Sequence, residues 1–378
     1  MKVTIVGAGP AGLYAAILLR RTRADLEIEI IEQNAPDATF GFGVVFSDDA
    51  LAFLRKDDPE TADLIEPHMA RWSDIHLVHK GERIVIDGIG FAGIGRLELI
   101  QRLQERAARL GLHPRYETRV DDVDAITADL IIGADGLNSK VRESGAFGES
   151  LSHQTNRFVW YGTNRGFDAL TQTFVASDFG PMNAHHYSYA PGRATFIIEL
   201  AEDTFRNSGF GDMSEPAYRA ACEDIFADVL EGAQLIANNS HWRQFPNLSC
   251  QDWHDGNKVL VGDALHTAHF SIGSGTRLAM EDVIALVNAL KAEDWDVGRA
   301  LPAYQSTRAP VLAKLVAAAR QSSDWYDDFG RHMQLEPWPF ALAYILRAGR
   351  LNMDRLRALS PHFTAALARH GVALESAA

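Results

Sequence analysis

Hydrophobic positions recur along this chain in two periods, and the switches between them mark out the elements. KVTIV (2–6) is a short β-branched run, and LYAAILLRRT (13–22) then carries Leu13, Ala16, Ile17 and Leu19 at helical spacing. EIEIIE (27–32) returns to a strand pattern. Strand, helix and strand in such close order form a βαβ unit, which implies a parallel sheet. FGFGVVFSD (40–48) is glycine-rich and aromatic and is expected to be a loop. Residues 71–87 alternate polar and apolar side chains, predicting a hairpin that turns at Lys80–Gly81. The spacing of Leu99, Ile100, Leu103, Ala107 and Leu110 predicts a helix over 96–111, with Gly111 as its cap. DLIIGA (129–134) predicts a strand that ends at Asp135–Gly136.

From residue 157 the pattern changes. RFVWYGT, QTFVAS, NAHHYSYA and RATFIIEL are successive strand-like runs with short breaks, the signature of an antiparallel sheet inserted into the α/β unit. KVLVGDA (258–264) restores the buried-strand pattern, and TRLAMEDVIALVNALK (276–291) predicts an amphipathic helix. The remainder is expected to be helical, with a break near Pro337 and Pro339. The fold class is α/β: a Rossmann-like nucleotide-binding domain, an inserted, mostly antiparallel β-sheet domain, and C-terminal helices.

Composition narrows the function classes. The 378 residues are 47% hydrophobic, 23% charged and carry a net charge of −14. Such an acidic surface disfavours nucleic acid and anionic lipid as partners. Cys222 and Cys250 are the only cysteines, too few for a disulfide framework or a cysteine zinc site. No metal centre is expected. The start of the chain runs directly into a strand and does not read as a signal peptide, and no apolar run reaches the ~18 residues of a membrane span. A cytoplasmic protein, monomeric or homodimeric, is expected.

The candidate chemistry begins with GAGPAG (7–12). Gly7 permits a tight turn, Gly9 lets backbone approach a pyrophosphate, and Gly12 allows close helix–strand packing. The helix start supplies free N–H groups and roughly half a positive charge. Glu32 follows Gly12 by twenty residues, where a carboxylate would bond the ribose of an adenine dinucleotide. Two more strand-ended turns, IIGADG (131–136) and LVGDALH (260–266), each place an Asp where open α/β sheets bind ligands.

In this order GAGPAG, the DG turn of GADGLNSKVR (133–142) and the GD turn of GDALH (262–266) resemble the FAD-dependent aromatic hydroxylases of the para-hydroxybenzoate hydroxylase type, the group A flavoprotein monooxygenases. TFGFGVVFSD (39–48), FVWYGT (158–163) and GDALHTAHFSIGSGTRLAMED (262–282) are similar, within that group, to the salicylyl-CoA 5-hydroxylases and to the hydroxylase part of 2-aminobenzoyl-CoA monooxygenase. The WYGT and HFSIG elements also resemble the tryptophan hydroxylase of violacein biosynthesis. A second flavin domain, as in the fused enzymes, is not seen, so an autonomous hydroxylation step is expected.

The resemblance implies one extended FAD, tightly but non-covalently held by Gly7, Gly9, Pro10, Ala11, Gly12, Glu32, Gln33, Arg96, Asp135, Gly262, Asp263, Gly273, Gly275 and Thr276. It implies NADH or NADPH as a transient electron donor, O2 as co-substrate, and transfer of oxygen from a flavin C4a-hydroperoxide to an electron-rich ring, most simply an aroyl-CoA thioester such as salicylyl-CoA. On this resemblance 1–70, 89–156 and 251–300 form the FAD-binding domain, 71–88 and 157–250 the substrate sheet, and 301–378 a C-terminal helical region. Phe40, Phe42, Phe46 and Phe270 would keep the pocket dry. Where the wider family has a proline pair this chain has His269 and Phe270, and His269 is the expected catalytic residue, an imidazole able to exchange protons near neutral pH. His266 is expected to be structural. Phe42, Val45, His185, Tyr187 and Phe270 are the expected substrate contacts, Tyr189 shares the face of His185 and Tyr187, and strand alternation allows only one of His185 and His186 to face the pocket. A CoA thioester needs cations for its phosphates, for which Arg71, Lys80, Arg83, Arg165 and Arg193 are candidates.

Competing readings are a hydroxylase of a free aromatic such as tryptophan or an indole, and a non-catalytic dinucleotide-binding protein. A flavin halogenase is disfavoured because its W-x-W-x-I-P signature is not in the sequence.

Overall fold

The first strand, Lys2–Val6, pairs in parallel with Glu27–Ile31 on one side and Leu130–Gly133 on the other. Lys258–Leu260 extends this parallel sheet, and His254–Asp255 closes its edge antiparallel. The strands are apolar because helices cover them. Pro10–Thr22 packs against both Arg96–Arg109 and Gly275–Ala292, burying Leu13, Ile17, Leu99, Leu103, Leu278 and Leu286 in one core. The helix predicted over 96–111 ends at Arg109, with Gly111 at φ +72° behind it. The structure, a computed structural model, describes residues 1–373 apart from Phe40, Ser274 and the side chain of Asp49.

The second sheet has eight strands. Glu149–Thr163, Arg193–Leu200, Gly180–Ala190 and Leu170–Ser177 form an antiparallel series, and Ile75–His79 joins Leu170–Ser177 in parallel. Glu82–Ile86 completes the predicted hairpin, whose turn residues Lys80 and Gly81 both take positive φ. Short strand Leu235–Ile236 and strand Arg243–Cys250 also pair with Glu149–Thr163. One face of this sheet packs Tyr161, Phe196 and Ile198 against Phe210, Tyr218 and Phe226 of a helical segment. The opposite face, which carries Leu77, Gln172 and His185, meets the C-terminal helices and lines a cleft.

The loop expected over 40–48 is a correction. Gly43–Ser47 is a strand, paired with Phe91–Gly95 in a small sheet that also holds Ala70–Trp72. The apolar Val44, Val45 and Phe46 outweigh the glycines once this partner strand is available. The proline break lies where expected, between the helix Phe329–His332 and the next one. Pro337 starts the helix Pro337–Leu346, in the first turn where a missing N–H costs nothing, while Pro302 and Pro310 sit inside the long helix Val297–Asp327. These C-terminal helices bury Trp325, Tyr326, Phe329, Phe340 and Tyr344 against Leu77, Ile84, Ile86 and Phe174 of the second sheet. Among the described residues no helix is long and apolar enough to cross a membrane.

Candidate active site

A cleft of about 930 Å³ runs between the two large sheets, from Gly9 and Glu32 at one end to Arg347 at the other. At the first end the chain reverses between strand and helix. Gly7 has φ +102°, and a Cβ there would fall 2.3 Å from the Ala134 carbonyl oxygen. A Cβ on Gly12 would fall 1.9 Å from the Gly7 oxygen. Gly9 is different: nothing lies within 4 Å of its missing Cβ, and it faces the cleft with Gly7, Pro10 and Ala11. The loop therefore needs glycine at 7 and 12 for its own packing, and leaves open space at 9 beside a helix start.

Glu32 stands at the end of the neighbouring strand. Its carboxylate accepts from the Ala8 N–H and the Asn34 N–H, both at 2.8 Å, which aims it into the cleft beside Gln33. Arg96 opens its helix, where the dipole disfavours a cation, and lines the same end of the cleft. Among the described residues its guanidinium has no hydrogen-bond or ion-pair partner. Asp135 accepts from the Ser139 hydroxyl at 2.5 Å and the Lys140 N–H at 2.7 Å. Burial pushes its carboxyl pKa up, opposed by the Ser139 bond. A cradle of backbone, an unpaired guanidinium and a carboxylate at the strand end suit a pyrophosphate with an adjoining ribose, so these residues fit FAD.

Further along, Asp263 opens onto the cleft, followed by Thr267, Ala268, Phe270 and Gly273, and by Gly275 and Thr276 at the next helix start. Gly262 does not line the cleft. It takes φ +60° and presses against Ala279 and Ala11, so it shapes the turn as Gly12 does. His266 is structural, as expected. Its Nε2 lies 2.7 Å from Oδ2 of the fully buried Asp282, which also accepts from the Gly262 N–H and from Arg308.

The second sheet forms the opposite wall. Register places Gln172, His185, Ile197 and Trp160 in one row across four strands, all lining the cleft. His186 lies on the other face, stacked on Phe196 and bonded to Thr173. Val45 and Tyr187 also line the cleft, and the Tyr187 hydroxyl donates to the Gly43 carbonyl at 2.7 Å. Tyr189 packs against Gly43 and Gly95. Arg347 closes the far end. It donates to the Ser271 and Tyr344 carbonyls, each at 2.8 Å, and its charge sits 3.9 Å over the Tyr344 ring.

Several expected positions need correction. His269 is buried behind the wall, in ring contact with Phe245 and Phe270, and its Nδ1 accepts the Ser271 N–H at 3.3 Å. Burial lowers its pKa to about 4. The polar ring is turned into the loop it caps, and Phe270 takes the cleft. Phe42 lies against Gly162 of the sheet rather than in the cleft, and Phe46 is core. Phe40 lies outside the described residues. Of the candidate cations, Arg71 pairs with Glu66, Lys80 with Glu336 and Arg165 with Glu231, while Arg83 meets His76. Arg193 is exposed at a hairpin.

Gln172, Trp160, Glu199 and Arg347 were missed. Alternation could have found the first three, since Gln172 pairs with His185 and Glu199 lies two residues from Ile197 on the same strand. Nothing in the sequence points to Arg347, which arrives from a C-terminal helix.

A nucleotide-type loop and an aromatic-lined sheet wall sharing one cleft define an oxidoreductase architecture, and comparison with known proteins narrows it. Residues 101–319 match the family described as FAD binding domain, and residues 5–37 match an NAD(P)-binding Rossmann-like domain. The chain is 38% identical over 361 residues to salicyloyl-CoA 5-hydroxylase of Streptomyces sp, spanning 92% of this chain and 70% of that protein. It is 33% identical to 3-hydroxy-4-methyl-anthranilyl aryl-carrier-protein 5-monooxygenase of Streptosporangium sibiricum, over 86% of this chain and 89% of the relative. Protodeoxyviolaceinate monooxygenase of Chromobacterium violaceum is 32% identical over 92% of this chain and 94% of its own. Among solved structures, a point mutant of 2-methyl-3-hydroxypyridine-5-carboxylic acid oxygenase shares the fold at TM-score 0.73 and 19% identity, covering 92% of this chain and 96% of that one. The chain belongs to the FAD-binding family and is an FAD-dependent aromatic monooxygenase.

Proposed function

We propose that this monooxygenase hydroxylates the ring of a hydroxy- or aminobenzoyl thioester, with salicyloyl-CoA as the leading substrate. The observation that carries the reading is the continuous cleft, which passes from the Gly9–Glu32–Arg96 end to a pocket walled by Val45, Trp160, His185, Tyr187 and Phe270. One end suits a dinucleotide and the other a ring. Identity to relatives named for a CoA ester and for a carrier-protein ester supports a thioester, since both carry the aryl group in the same linkage.

FAD, reduced by NADH or NADPH, would activate dioxygen and deliver an electrophilic oxygen. In this reading Gly7, Gly9, Pro10 and Ala11 hold the pyrophosphate, Gly12 fixes their turn, Glu32 and Gln33 take the adenosine ribose, and Arg96 neutralises phosphate. Asp135, Asp263, Gly273, Gly275 and Thr276 line the path toward the ring end, with Gly262 shaping the turn. Val45, Tyr187 and Phe270 exclude water around the substrate, and Arg347 faces its polar substituents.

The test is a panel of salicyloyl-CoA, 2-aminobenzoyl-CoA, salicylate and tryptophan, followed by substrate-dependent NAD(P)H oxidation and hydroxylated product. Oxygenation of the thioesters is expected. Oxygenation of salicylate or tryptophan alone overturns the thioester assignment and favours the second reading, a free-aromatic hydroxylase, which the 32% identity to protodeoxyviolaceinate monooxygenase supports. Purified protein that fails to take up FAD overturns both.

A further inference from the structure

We propose that His185 and Glu199 form a proton path that takes the proton from a ring hydroxyl of the substrate, with His185 as the contact and Glu199 as the acceptor behind it. This rests on the hydroxybenzoyl reading above. His185 lines the cleft, whereas Glu199 is 1% exposed and does not. They belong to adjacent strands, with Asn183 the direct partner of Glu199, so His185 is its diagonal neighbour on the same face. The His185 Nε2–H donates to Oε2 of Glu199 at 3.2 Å, and Oε1 accepts from Asn156 at 3.0 Å. With Nε2 so engaged, Nδ1 keeps its lone pair and has no hydrogen-bond partner among the described residues. It is the ring nitrogen left for a ligand.

The transfer balances without a co-reactant. A substrate O–H gives its proton to Nδ1, and Nε2–H passes its own to Oε2. The imidazole ends neutral in its other tautomer, Glu199 ends as a carboxylic acid, and the substrate oxygen becomes an anion. One negative charge has moved from Glu199 to the substrate, and the ring has become more electron-rich toward an electrophilic oxygen. Arg347 faces the site at both stages and offers the new anion a counter-charge.

The surroundings favour these roles. Burial and the Arg347 charge lower the His185 pKa to about 3, so the imidazole relays a proton rather than retaining it. Burial pushes the Glu199 carboxyl up, against opposing pulls from His269, Asn156 and Arg347, which suits a final acceptor. Tyr326 packs beside His185 from the long C-terminal helix, with its own hydroxyl bonded to Gln172.

The test uses FAD-loaded wild type, His185→Gln and Glu199→Gln, with salicyloyl-CoA as probe and the phenolate band of the bound ring read by difference spectroscopy across pH. For the wild type, the band is expected at least about one pH unit below that of the free probe, a tenfold shift in ionisation. Both variants should lose that displacement and fall about tenfold or more in kcat, with affinity for the neutral probe, measured below its free pKa, within about threefold of wild type. Retained FAD absorption shows that they are folded. A band unchanged in both folded variants overturns the proton path and leaves the hydroxylase reading standing. Failure of the wild type to bind the probe while it oxygenates another ring overturns the hydroxybenzoyl reading, and the path with it. Glu199 is a positioning residue, so Glu199→Asp should recover part of the displacement.

Discussion

His269 caps its own loop through Ser271. Its Nδ1 accepts the Ser271 N–H at 3.3 Å while its ring lies against Phe270, whose side chain occupies the cleft instead. Where proline would restrain φ, a buried imidazole holds the turn by a hydrogen bond. His269→Ala should therefore act on stability before chemistry. Loss of the buried ring and of the Ser271 bond should cost about 2–4 kcal/mol, read as a lowered unfolding midpoint of the FAD-loaded protein. Product formed per NAD(P)H consumed should stay within about threefold of wild type. A coupling ratio that collapses in a protein of unchanged stability would return His269 to the chemistry.

Two glycines of one loop should respond oppositely to the same substitution. Gly12→Ala places a methyl 1.9 Å from the Gly7 oxygen, and backbone cannot yield there without parting helix from strand. That variant should express poorly or unfold early. Gly9→Ala meets nothing within 4 Å in the protein and projects into the cleft. It should fold normally and bind FAD at least about tenfold more weakly, a difference of about 1.4 kcal/mol. Equal behaviour of the two would remove the distinction between packing and ligand approach.

Glu32→Ala and Arg96→Ala separate the two polar grips on the cofactor. Each should weaken FAD retention on a desalting column by about tenfold or more, since charge-assisted bonds contribute about 1.5–3 kcal/mol. Glu32→Ala should also lower stability without FAD, because its carboxylate organises the Ala8 and Asn34 N–H groups. Arg96→Ala should leave apoprotein stability near wild type. Unchanged retention in both would undo the proposed cofactor map.

How much of this was legible beforehand follows from the range of the interactions. The Gly7–Gly12 turn, the helix to Arg109 and the division of His185 and His186 between two faces are local consequences of spacing, and the structure has each of them. Gly43–Ser47 was hidden because its glycines suggest a loop, and its strand character depends on pairing with Phe91–Gly95. Arg347 was hidden for the same reason at greater range: a helix folded across the sheet brings it to the cleft. Helical period reads the surface a helix buries, not the element that meets it. His269 shows a further limit. The sequence marks it as unusual, but whether its ring turns to the cleft or to its own loop depends on Phe270 and Phe245 competing for the same space.

Asp282 joins the turn that carries Asp263 to the helix behind it. It is fully buried and accepts from His266, Arg308 and the Gly262 N–H. Asp282→Asn removes one of the two carboxylates that hold the buried Arg308, Glu281 remaining 2.8 Å away, so the cost is about 3 kcal/mol, the low end for breaking a buried pair. The expected result is a sharply lowered unfolding midpoint, with FAD retention falling because the Gly262 turn loosens. An unfolding midpoint equal to wild type in the FAD-free protein would show that the network does not support the turn.

Stability should fall as the medium is acidified through a definite window. Burial holds His185 and His186 down to a pKa of about 3 and His269 to about 4, against about 6.5 in an unfolded chain. Between those values the unfolded state binds the extra protons. The histidine contribution is therefore complete above pH ~6.5 and is lost progressively as pH falls toward 3–4. Glu199 acts in the opposite sense, because burial raises its carboxyl and the folded state takes up that proton first. Asp135, Asp263 and Asp327 are raised by burial in the same sense as Glu199, whereas His76, His79 and His332 are lowered like the three histidines above, so six histidines against four carboxyls leave a net loss on acidification. His186 allows the test away from the cleft, since it stacks on Phe196 on the far face of the sheet. Denaturant unfolding of wild type and His186→Phe at intervals from pH 7 to 4 should give a shallower decline for the variant, whatever its stability at pH 7. Parallel curves would show that His186 takes up its proton as readily in the folded sheet as in the unfolded chain.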